Sequence, residues 1–296
     1  MKIIKFKSPG KINLRLDVVG KRPDGYHDLC MINSLVSLYD DIEIELIEKG
    51  LVVECLNDAN VPSGEGNIVY KVAKEIMAYS NKNIGVRIRI NKMIPSSAGM
   101  GGGSSNAACV LMGLNEMLKI NLAKDKLMKI GLKFGADVPF FILQSSAIAR
   151  GIGDHLTLIK KMPKLQLALV TPNIKVPTKW VYENYIACND NVVKKEKVKG
   201  KGPDKVSSND LPVEYATKKS LIKYLNNDLE KVTVEKYPVV NEIKAILMQM
   251  GALATQMTGS GPTVFGIFPD KEMAETAIAK LRSKVPHYQM FFAENI

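Results

Sequence analysis

The segment of this chain that most clearly could do chemistry is a glycine-rich stretch, PSSAGMGGGSSNAA, at residues 95–108. It follows the strand-like sequence VRIRIN and precedes an apolar, helix-like sequence. Backbone N–H groups of such a loop can approach an anion closely, beside the positive end of the helix dipole. The hydroxyls of Ser104 and Ser105 can add hydrogen bonds to phosphate or contact Mg²⁺. We predict a phosphate-binding loop; the alternative, a flexible turn, is disfavoured because glycine is entropically costly where the backbone does not need it.

The glycine loop matches neither of two common phosphate motifs. A Walker loop requires a lysine directly after its glycines, whereas Ser104 follows Gly103 here. The dinucleotide motif GxGxxG fails because Ser104 stands where its third glycine would be. A loop without its own lysine has to obtain a cation from elsewhere in the chain, and Lys11 in SPGKINLRL is a candidate.

Lys11 and Asn13 are spaced two apart in a predicted strand, so both side chains leave the same face. Arg15 and Asp17 continue that polar face, which could equally be exposed to solvent. Asp137 lies in the apolar sequence FGADVPFF, where a lone carboxylate is costly to bury. It could cap a helix, form an ion pair, or act as a general base held by a cation.

Two further segments could contact a ligand. Tyr26 and His27 follow the turn-rich sequence GKRPDG, and an aromatic ring beside a histidine could stack on and hydrogen-bond a heterocycle. TGSGPTVFG, residues 258–266, is a second glycine-rich turn that leads into an apolar strand. On its own, this second segment could be only a tight β-turn.

Composition and charge narrow the class of protein. The 296 residues are 46% hydrophobic, which excludes a disordered, collagen-like or fibrous chain. The net charge of +11 allows nucleic acid, an anionic membrane or small anionic substrates as partners. Residues 194–205 contain six Lys and two acidic residues but neither Arg nor aromatic residues, so they favour a solvated loop over a nucleic-acid surface.

The cysteines and histidines form no CxxC, HExxH or HxxxH pattern, so we expect reduced cysteines and no structural metal site. The first residues contain no apolar run of signal-peptide length. Gly, Ser, Thr and Gln interrupt the two long uncharged segments, 93–115 and 245–269. We expect a soluble cytoplasmic protein with no membrane partner.

Hydrophobic periodicity predicts a mixture of strands and helices. Strands are predicted at 12–18, 42–47, 86–90, 165–170, 263–268 and the C-terminus. Helices are predicted at 67–79, 104–118, 124–134, 271–283 and, as helical stretches, near 218–230 and 239–250. Because the two types do not alternate strictly, an α+β fold is favoured over a parallel α/β sheet. A change of pattern near 150–160 predicts a boundary between two domains, residues 1–155 and 156–296.

These motifs together resemble the GHMP kinase superfamily, whose three characteristic motifs occur here in the expected order as SPGKINL, PSSAGMGGGSSNAA and TGSGPTVFG. The more specific stretches are GKRPDGYHDL (20–29), GADVPFF (135–141), VPTKWVY (176–182) and NDLE (227–230). They resemble the branch that phosphorylates a cytidine diphosphate ester of methylerythritol. The resemblance runs from about residue 3 to residue 285. It implies a two-lobed α+β fold. The N-terminal lobe (1–155) would bind ATP, carry the catalytic residues and be like domain 2 of ribosomal protein S5, and the C-terminal lobe (156–296) would be ferredoxin-like and bind the substrate.

The resemblance also implies roles for individual residues. Lys11 and Asp137 would form the catalytic pair, Asp137 taking a proton from the 2-hydroxyl of the acceptor and Lys11 keeping Asp137 ionised. The cofactors would be ATP and Mg²⁺. The implied ATP-binding residues are Asn67, Pro95, Ser96, Ser97, Ala98, Gly99, Met100, Gly101, Gly102, Gly103, Ser104 and Ser105. The implied substrate-binding residues are Asn13, Tyr26, His27, Thr178 and Tyr182, and the implied supporting loop is Gly259, Ser260 and Gly261.

The expected function is therefore a kinase of non-mevalonate isoprenoid precursor biosynthesis. Another GHMP kinase acting on homoserine or a mevalonate derivative is an alternative, but Tyr26, His27 and Tyr182 would then have no base to stack on. A non-catalytic nucleotide-binding relative is disfavoured by the presence of both Lys11 and Asp137. The oligomeric state stays open between monomer and homodimer.

Overall fold

The computed structural model describes residues 3–80, 82–185 and 210–296 of the chain. Its strands are β1 (Ile3–Lys21), β2 (His27–Ile47), β3 (Leu51–Cys55), β4 (Gly85–Asn91), β5 (Ala147–Gly151), β6 (His155–Leu158), β7 (Gln166–Thr171), β8 (Asn226–Asn227), β9 (Ala254–Met257), β10 (Val264–Phe268) and β11 (Gln289–Glu294). Its helices are α1 (Ile68–Met77), α2 (Gly102–Met117), α3 (Lys124–Leu132), α4 (Val138–Leu143), α5 (178–185), α6 (Lys218–Ile222), α7 (Asp228–Lys236), α8 (Val239–Gln249) and α9 (Lys271–Lys284).

The first sheet is built on the long antiparallel hairpin of β1 and β2. Over the described residues its strand order is β3-β4-β2-β1-β8, with β5 paired to β2 and β6 paired to β5. Apolar residues of β2, β3 and β4 form one core with helices α1 to α4. Helix α2, which carries the glycine loop at its N-terminus, is thus held against the sheet by a continuous buried face.

The second sheet has the order β11-β7-β10-β9 among the described residues, and all of its neighbours are antiparallel. This is the order of a ferredoxin-like βαββαβ unit. Helices α8 and α9 pack on one face, and the other face contributes Leu167 and Phe265 to a core shared with Ile12 and Leu14 of β1. The expected two-lobed α+β fold is confirmed.

The central part of β1 is buried on both faces, because it lies between the two lobes. The exposed fractions of Lys11, Asn13, Arg15 and Asp17 are 5%, 0%, 6% and 8%, respectively. The alternative in which these four polar residues face solvent is therefore wrong. Period-two alternation could not distinguish the two cases, because the covering residues come from the far end of the chain.

The helical stretch expected near residues 218–230 is interrupted. Helix α6 ends at Ile222, and Asn226 and Asn227 pair in parallel with Arg15 and Leu16 of β1. The side chain of Asn227 then caps α7 by accepting from the N–H of Leu229. The short strand β8 thereby joins the second half of the chain to β1.

Strand β6 begins at residue 155 and pairs with β5, so the chain leaves the first sheet after residue 158. The division into lobes 1–155 and 156–296 stays a prediction. The Lys-rich segment 194–205 lies outside the described residues. Within the described ranges, no helix is both long enough and apolar enough to span a membrane.

Candidate active site

A cavity of about 1040 Å³ lies between the two lobes. Its lining comes from the glycine loop and β1, and from the segment after β7 and the turn of residues 258–261. Lys11, Asp137 and Tyr182 all face this cavity. The cavity therefore gathers residues that are far apart in the sequence and that we had singled out for chemistry.

The glycine loop reaches the cavity because its backbone takes conformations that glycine allows. Gly99 and Gly101 have φ angles of +78° and +69°, in the left-handed region. A Cβ atom on Gly99 would lie 2.2 Å from the carbonyl oxygen of Thr258, so the loop and the 258–261 turn touch backbone to backbone. Helix α2 begins at Gly102, with Gly101 as its N-cap, and its first turn faces the cavity.

The side chains of Lys11 and Asp137 meet at the wall of the cavity. Nζ of Lys11 lies 3.8 Å from Oδ2 of Asp137 and donates a 2.6 Å hydrogen bond to Oδ1 of Asn13. The Lys11 side chain is only 6% exposed, whereas that of Asp137 is 32% exposed. Asp137 occupies the N-cap position of α4, but its carboxylate makes no capping hydrogen bond within the described part of the chain. Of the readings open for Asp137, the ion pair is observed and the helix cap is not.

Asn13 and Thr258 connect this pair to the turn of the second lobe. The N–H of Asn13 donates to Oγ1 of Thr258 at 2.9 Å, and Nδ2 of Asn13 donates to Oδ1 of Asn33 at 2.7 Å. The hydroxyl of Thr258 lies 3.2 Å from Oδ1 of Asn13 and 3.3 Å from the carbonyl oxygen of Gly99. One threonine thus contacts both β1 and the glycine loop.

Lys92 provides a second buried cation beneath the glycine loop. Its ammonium pairs with the fully buried carboxylate of Asp40, whose other oxygen accepts from the N–H groups of Met93 and Ile94 at 2.8 Å. Lys92 also lines the cavity. Sequence reasoning looked for the loop's cation in Lys11 and missed Lys92, although Lys92 directly follows β4 and lies three residues before Pro95, the first residue of the loop.

An aromatic side chain, Tyr182, also lines the cavity, and His27 packs against it. The rings of His27 and Tyr182 are stacked, with centroids 5.1 Å apart and an interplanar angle of 24°. Burial lowers the pKa of His27, and the charge of Lys21 lowers it further. Burial, with a smaller contribution from the negative charge of Asp137, raises the pKa of Tyr182. His27 therefore favours its neutral form, and Tyr182 keeps its phenol proton.

Two family models match this chain. The model of the GHMP kinases N terminal domain matches residues 67–145, and that of the GHMP kinases C terminal matches residues 215–287. A relative from Geobacter sp. (strain M21), named 4-diphosphocytidyl-2-C-methyl-D-erythritol kinase, is 45% identical over 282 residues and aligns over 95% of both chains. A relative of the same name from Acetivibrio thermocellus is 40% identical over the full length of both. The chain belongs to the 4-diphosphocytidyl-2-C-methyl-D-erythritol kinase family of GHMP kinases.

Solved structures agree with this membership. The crystal structure of a 4-(cytidine 5'-diphospho)-2C-methyl-D-erythritol kinase is 30% identical, with a TM-score of 0.80 over 99% of both chains. A homoserine kinase from Cytophaga hutchinsonii has a TM-score of 0.71 at 16% identity, covering 100% of this chain and 95% of its own, and supports the fold alone. As a GHMP kinase, this protein is an ATP-dependent kinase that acts on a small molecule.

Most of the site residues expected for this GHMP kinase line the cavity formed by the described residues. Those that do are Lys11, Asn13, Asn67, Pro95, Ser96, Ser97, Ala98, Gly99, Gly101, Gly102, Gly103, Ser104, Asp137, Thr178, Tyr182, Gly259 and Ser260. Asn67 also caps α1, accepting from the N–H of Val69 at 2.9 Å. The hydroxyls of Thr178 and Ser260 lie 2.8 Å apart and join α5 to the 258–261 turn.

Five expected residues lie elsewhere: Tyr26, His27, Met100, Ser105 and Gly261 do not line the cavity as the described residues form it. The Met100 side chain packs in the core, and the hydroxyl of Ser105 lies 2.7 Å from the buried hydroxyl of Ser8. His27 reaches the site through its stack on Tyr182, and Tyr26 is 63% exposed.

The cavity also contains polar residues that sequence reasoning missed: Asn60, Lys92, Asn106 and Lys175. Asn106 was visible as the third polar residue of SSN at the helix start. Asn60 and Lys175 lie in loops of ordinary composition, and only the folded chain brings them to the site.

Proposed function

We propose that this kinase transfers the γ-phosphate of ATP to the 2-hydroxyl of 4-diphosphocytidyl-2-C-methyl-D-erythritol. The observation that carries the proposal is the Lys11–Asp137 pair, which lines one cavity together with the glycine-rich N-terminus of α2 and the ring of Tyr182. Relatives that align with almost the whole chain are named for that acceptor. The place in non-mevalonate isoprenoid synthesis, the cytoplasmic location and the oligomeric state stay predictions.

In this proposal the nucleotide occupies the glycine-loop side of the cavity. The N–H groups at the start of α2 bind the phosphates, and Asn67 lies near the adenine. Lys92 adds positive charge below the loop, since it lines the same wall. The hydroxyl of Ser96 already donates to Oδ2 of Asp58 at 2.6 Å, so Ser96 contributes through its backbone.

Asp137 acts as the general base. Its carboxylate faces the cavity and accepts the proton of the acceptor hydroxyl as that oxygen attacks the γ-phosphorus. The positive charge of Lys11 favours the ionised carboxylate and also stabilises the negative charge that develops on the hydroxyl oxygen. An ammonium has three N–H donors, and the hydrogen bond to Asn13 orients the group while leaving donors for the reacting oxygens.

We include Mg²⁺ as a cofactor. The described residues contain no group of three His, Cys, Asp or Glu side chains able to hold a metal ion. This fits an ion bound largely by phosphate oxygens and water, since Mg²⁺ commonly takes only one or two protein ligands at such sites. The hydroxyl of Ser104 lines the cavity and would supply one such ligand. When bound, the ion neutralises charge on the transferred phosphate.

The stacked rings of His27 and Tyr182 support an acceptor that contains a base. Tyr182 offers a ring face, His27 offers a neutral imidazole able to hydrogen-bond, and the exposed Tyr26 directly precedes His27 at the start of β2. Asn13 and Thr178 would make further polar contacts to the acceptor. Homoserine and mevalonate have no base to stack, so these rings favour the cytidine ester over either alternative.

The proposal is tested by identifying the product. Purified protein is incubated with ATP, Mg²⁺ and the acceptor, and the products are examined by mass spectrometry and ³¹P NMR. We expect one ADP for each phosphorylated acceptor, with a new phosphomonoester at the 2-position. ADP release without a phosphorylated acceptor, or phosphate at another hydroxyl, would overturn the proposal.

A further inference from the structure

Lys175 reaches across the mouth of the cavity from one lobe to the other. It lies in the segment between β7 and α5, lines the cavity, and its Nζ donates to Oδ1 of Asn60 at 3.4 Å. Asn60 lies between β3 and α1, more than one hundred residues away in the sequence. The contact is therefore a bridge between the two walls that enclose the ligand.

The tip of Lys175 lies on the phosphate-loop side of the cavity. The backbone N–H and Nδ2 of Asn60 donate to Oδ1 of Asp58 at 2.9 and 3.1 Å. The hydroxyl of Ser96, in the glycine loop, donates to Oδ2 of the same carboxylate at 2.6 Å. Ser96, Asp58, Asn60 and Lys175 thus form one chain of contacts that starts at the glycine loop.

Lys175 differs in its partner from the other two lysines of the cavity. Lys11 faces Asp137 and Lys92 pairs with Asp40, so both ammonium groups have a carboxylate nearby. The bond of Lys175 is to a neutral amide oxygen and is close to the upper length of a hydrogen bond. Exchanging that oxygen for a phosphate oxygen would replace a weak contact with a charge-assisted one.

We propose that Lys175 is a nucleotide-binding residue, whose ammonium leaves Asn60 to bind the polyphosphate of ATP beside the glycine loop. The inference rests on the proposed function only in taking the nucleotide to lie against that loop. It gives the second lobe a direct contact with the nucleotide, in addition to its contacts with the acceptor.

The test compares Lys175→Gln with Lys179→Gln. The first variant removes the charge and retains most of the side-chain length. The second removes a lysine charge one turn further along, on the exposed surface of α5 and outside the cavity lining. Binding of ADP and of the cytidine-diphospho acceptor is measured separately by calorimetry at low and high salt. Lys175→Arg shows whether the positive charge suffices.

We expect Lys175→Gln to weaken ADP binding about three- to tenfold, as for one partly exposed charge contact. Acceptor binding should be unchanged, and the difference should shrink at high salt because screening weakens the wild-type contact. Lys175→Arg and Lys179→Gln should resemble the wild type. Unchanged ADP binding in Lys175→Gln, equal loss for both ligands, or a greater loss for the acceptor would overturn the proposal. The ADP titration remains decisive even if the acceptor proves to be a different alcohol.

Discussion

The ammonium of Lys11 and the carboxylate of Asp137 lie 3.8 Å apart, although the two residues come from β1 and from the start of α4. Both residues line the cavity, but the Lys11 side chain is 6% exposed and that of Asp137 is 32% exposed. This difference in exposure suits a general base that contacts the substrate while the neighbouring ammonium favours its ionised form. Asn13 orients the lysine, and Thr258 holds the backbone of Asn13 from the second lobe.

Asp137→Asn should abolish the proton acceptor while preserving its shape. General-base catalysis contributes about 10²–10⁴-fold, so kcat should fall by roughly that factor. ADP affinity should stay close to the wild-type value, because the phosphates bind at the glycine loop. Asp125→Asn, an exposed aspartate in the first turn of α3, is the matched control and should retain kcat. Wild-type kcat in Asp137→Asn would exclude Asp137 as the base.

Thr258→Val should lower the stability of the protein and also weaken nucleotide binding. The Thr258 hydroxyl accepts from the N–H of Asn13, and valine leaves that buried donor without its partner. The expected loss in free energy of unfolding is about 1–3 kcal/mol. The KM for ATP should rise as well, since the same hydroxyl contacts the carbonyl oxygen of Gly99. Urea unfolding and steady-state kinetics measure the two effects.

The matched control is Thr255→Val, which alters a threonine of the neighbouring strand β9. It should change both quantities much less. If the two variants lose equal stability and keep the wild-type KM for ATP, Thr258 does not connect the lobes in the way its hydrogen bonds indicate.

Tyr182→Ala should weaken binding of the acceptor and leave binding of the nucleotide unchanged. Stacking of a base on an aromatic ring contributes about 1–3 kcal/mol, and the KM of the acceptor should rise accordingly. Tyr182→Phe keeps the ring and should keep the wild-type KM. Tyr26→Ala should likewise weaken binding of the acceptor far more than binding of ATP. Equal increases in both KM values would mean that the base binds elsewhere.

The stability of the protein should fall on acidification because of His27. Burial lowers the pKa of His27 below its ordinary 6.5, so the unfolded chain takes up a proton before the folded protein does. The free energy of unfolding should therefore decrease as the pH falls from 6.5 towards the pKa of the folded state. Above pH 6.5 the contribution of His27 to that free energy should stay constant. His27→Gln should reduce the slope, measured by urea unfolding at several pH values. The exposed His155→Gln is the control and should keep the wild-type slope; an unchanged slope in His27→Gln would contradict the expectation.

Local sequence signals predicted much of the fold and the centre of the site. Strands at 12–18, 42–47 and 86–90, and helices at 67–79, 104–118 and 124–134, all correspond to observed elements. The glycine loop could be placed because strand, glycines and helix are contiguous. Asp137 could be singled out because its surroundings are apolar.

What could not be predicted depends on residues that are distant in sequence. The polar face of β1 is buried because residues near 226 and 258 cover it, and no local pattern encodes that contact. Lys92 was missed because its partner Asp40 comes from another strand. Lys175 was missed because only folding brings its loop to Asn60.

The most direct test of the central claim is the choice of acceptor by the wild-type enzyme. ADP release is measured with ATP, Mg²⁺ and equal concentrations of 4-diphosphocytidyl-2-C-methyl-D-erythritol, homoserine or mevalonate. We predict rapid release with the cytidine ester and only background release with the other two. No release with the cytidine ester, or faster release with homoserine or mevalonate, would contradict the account.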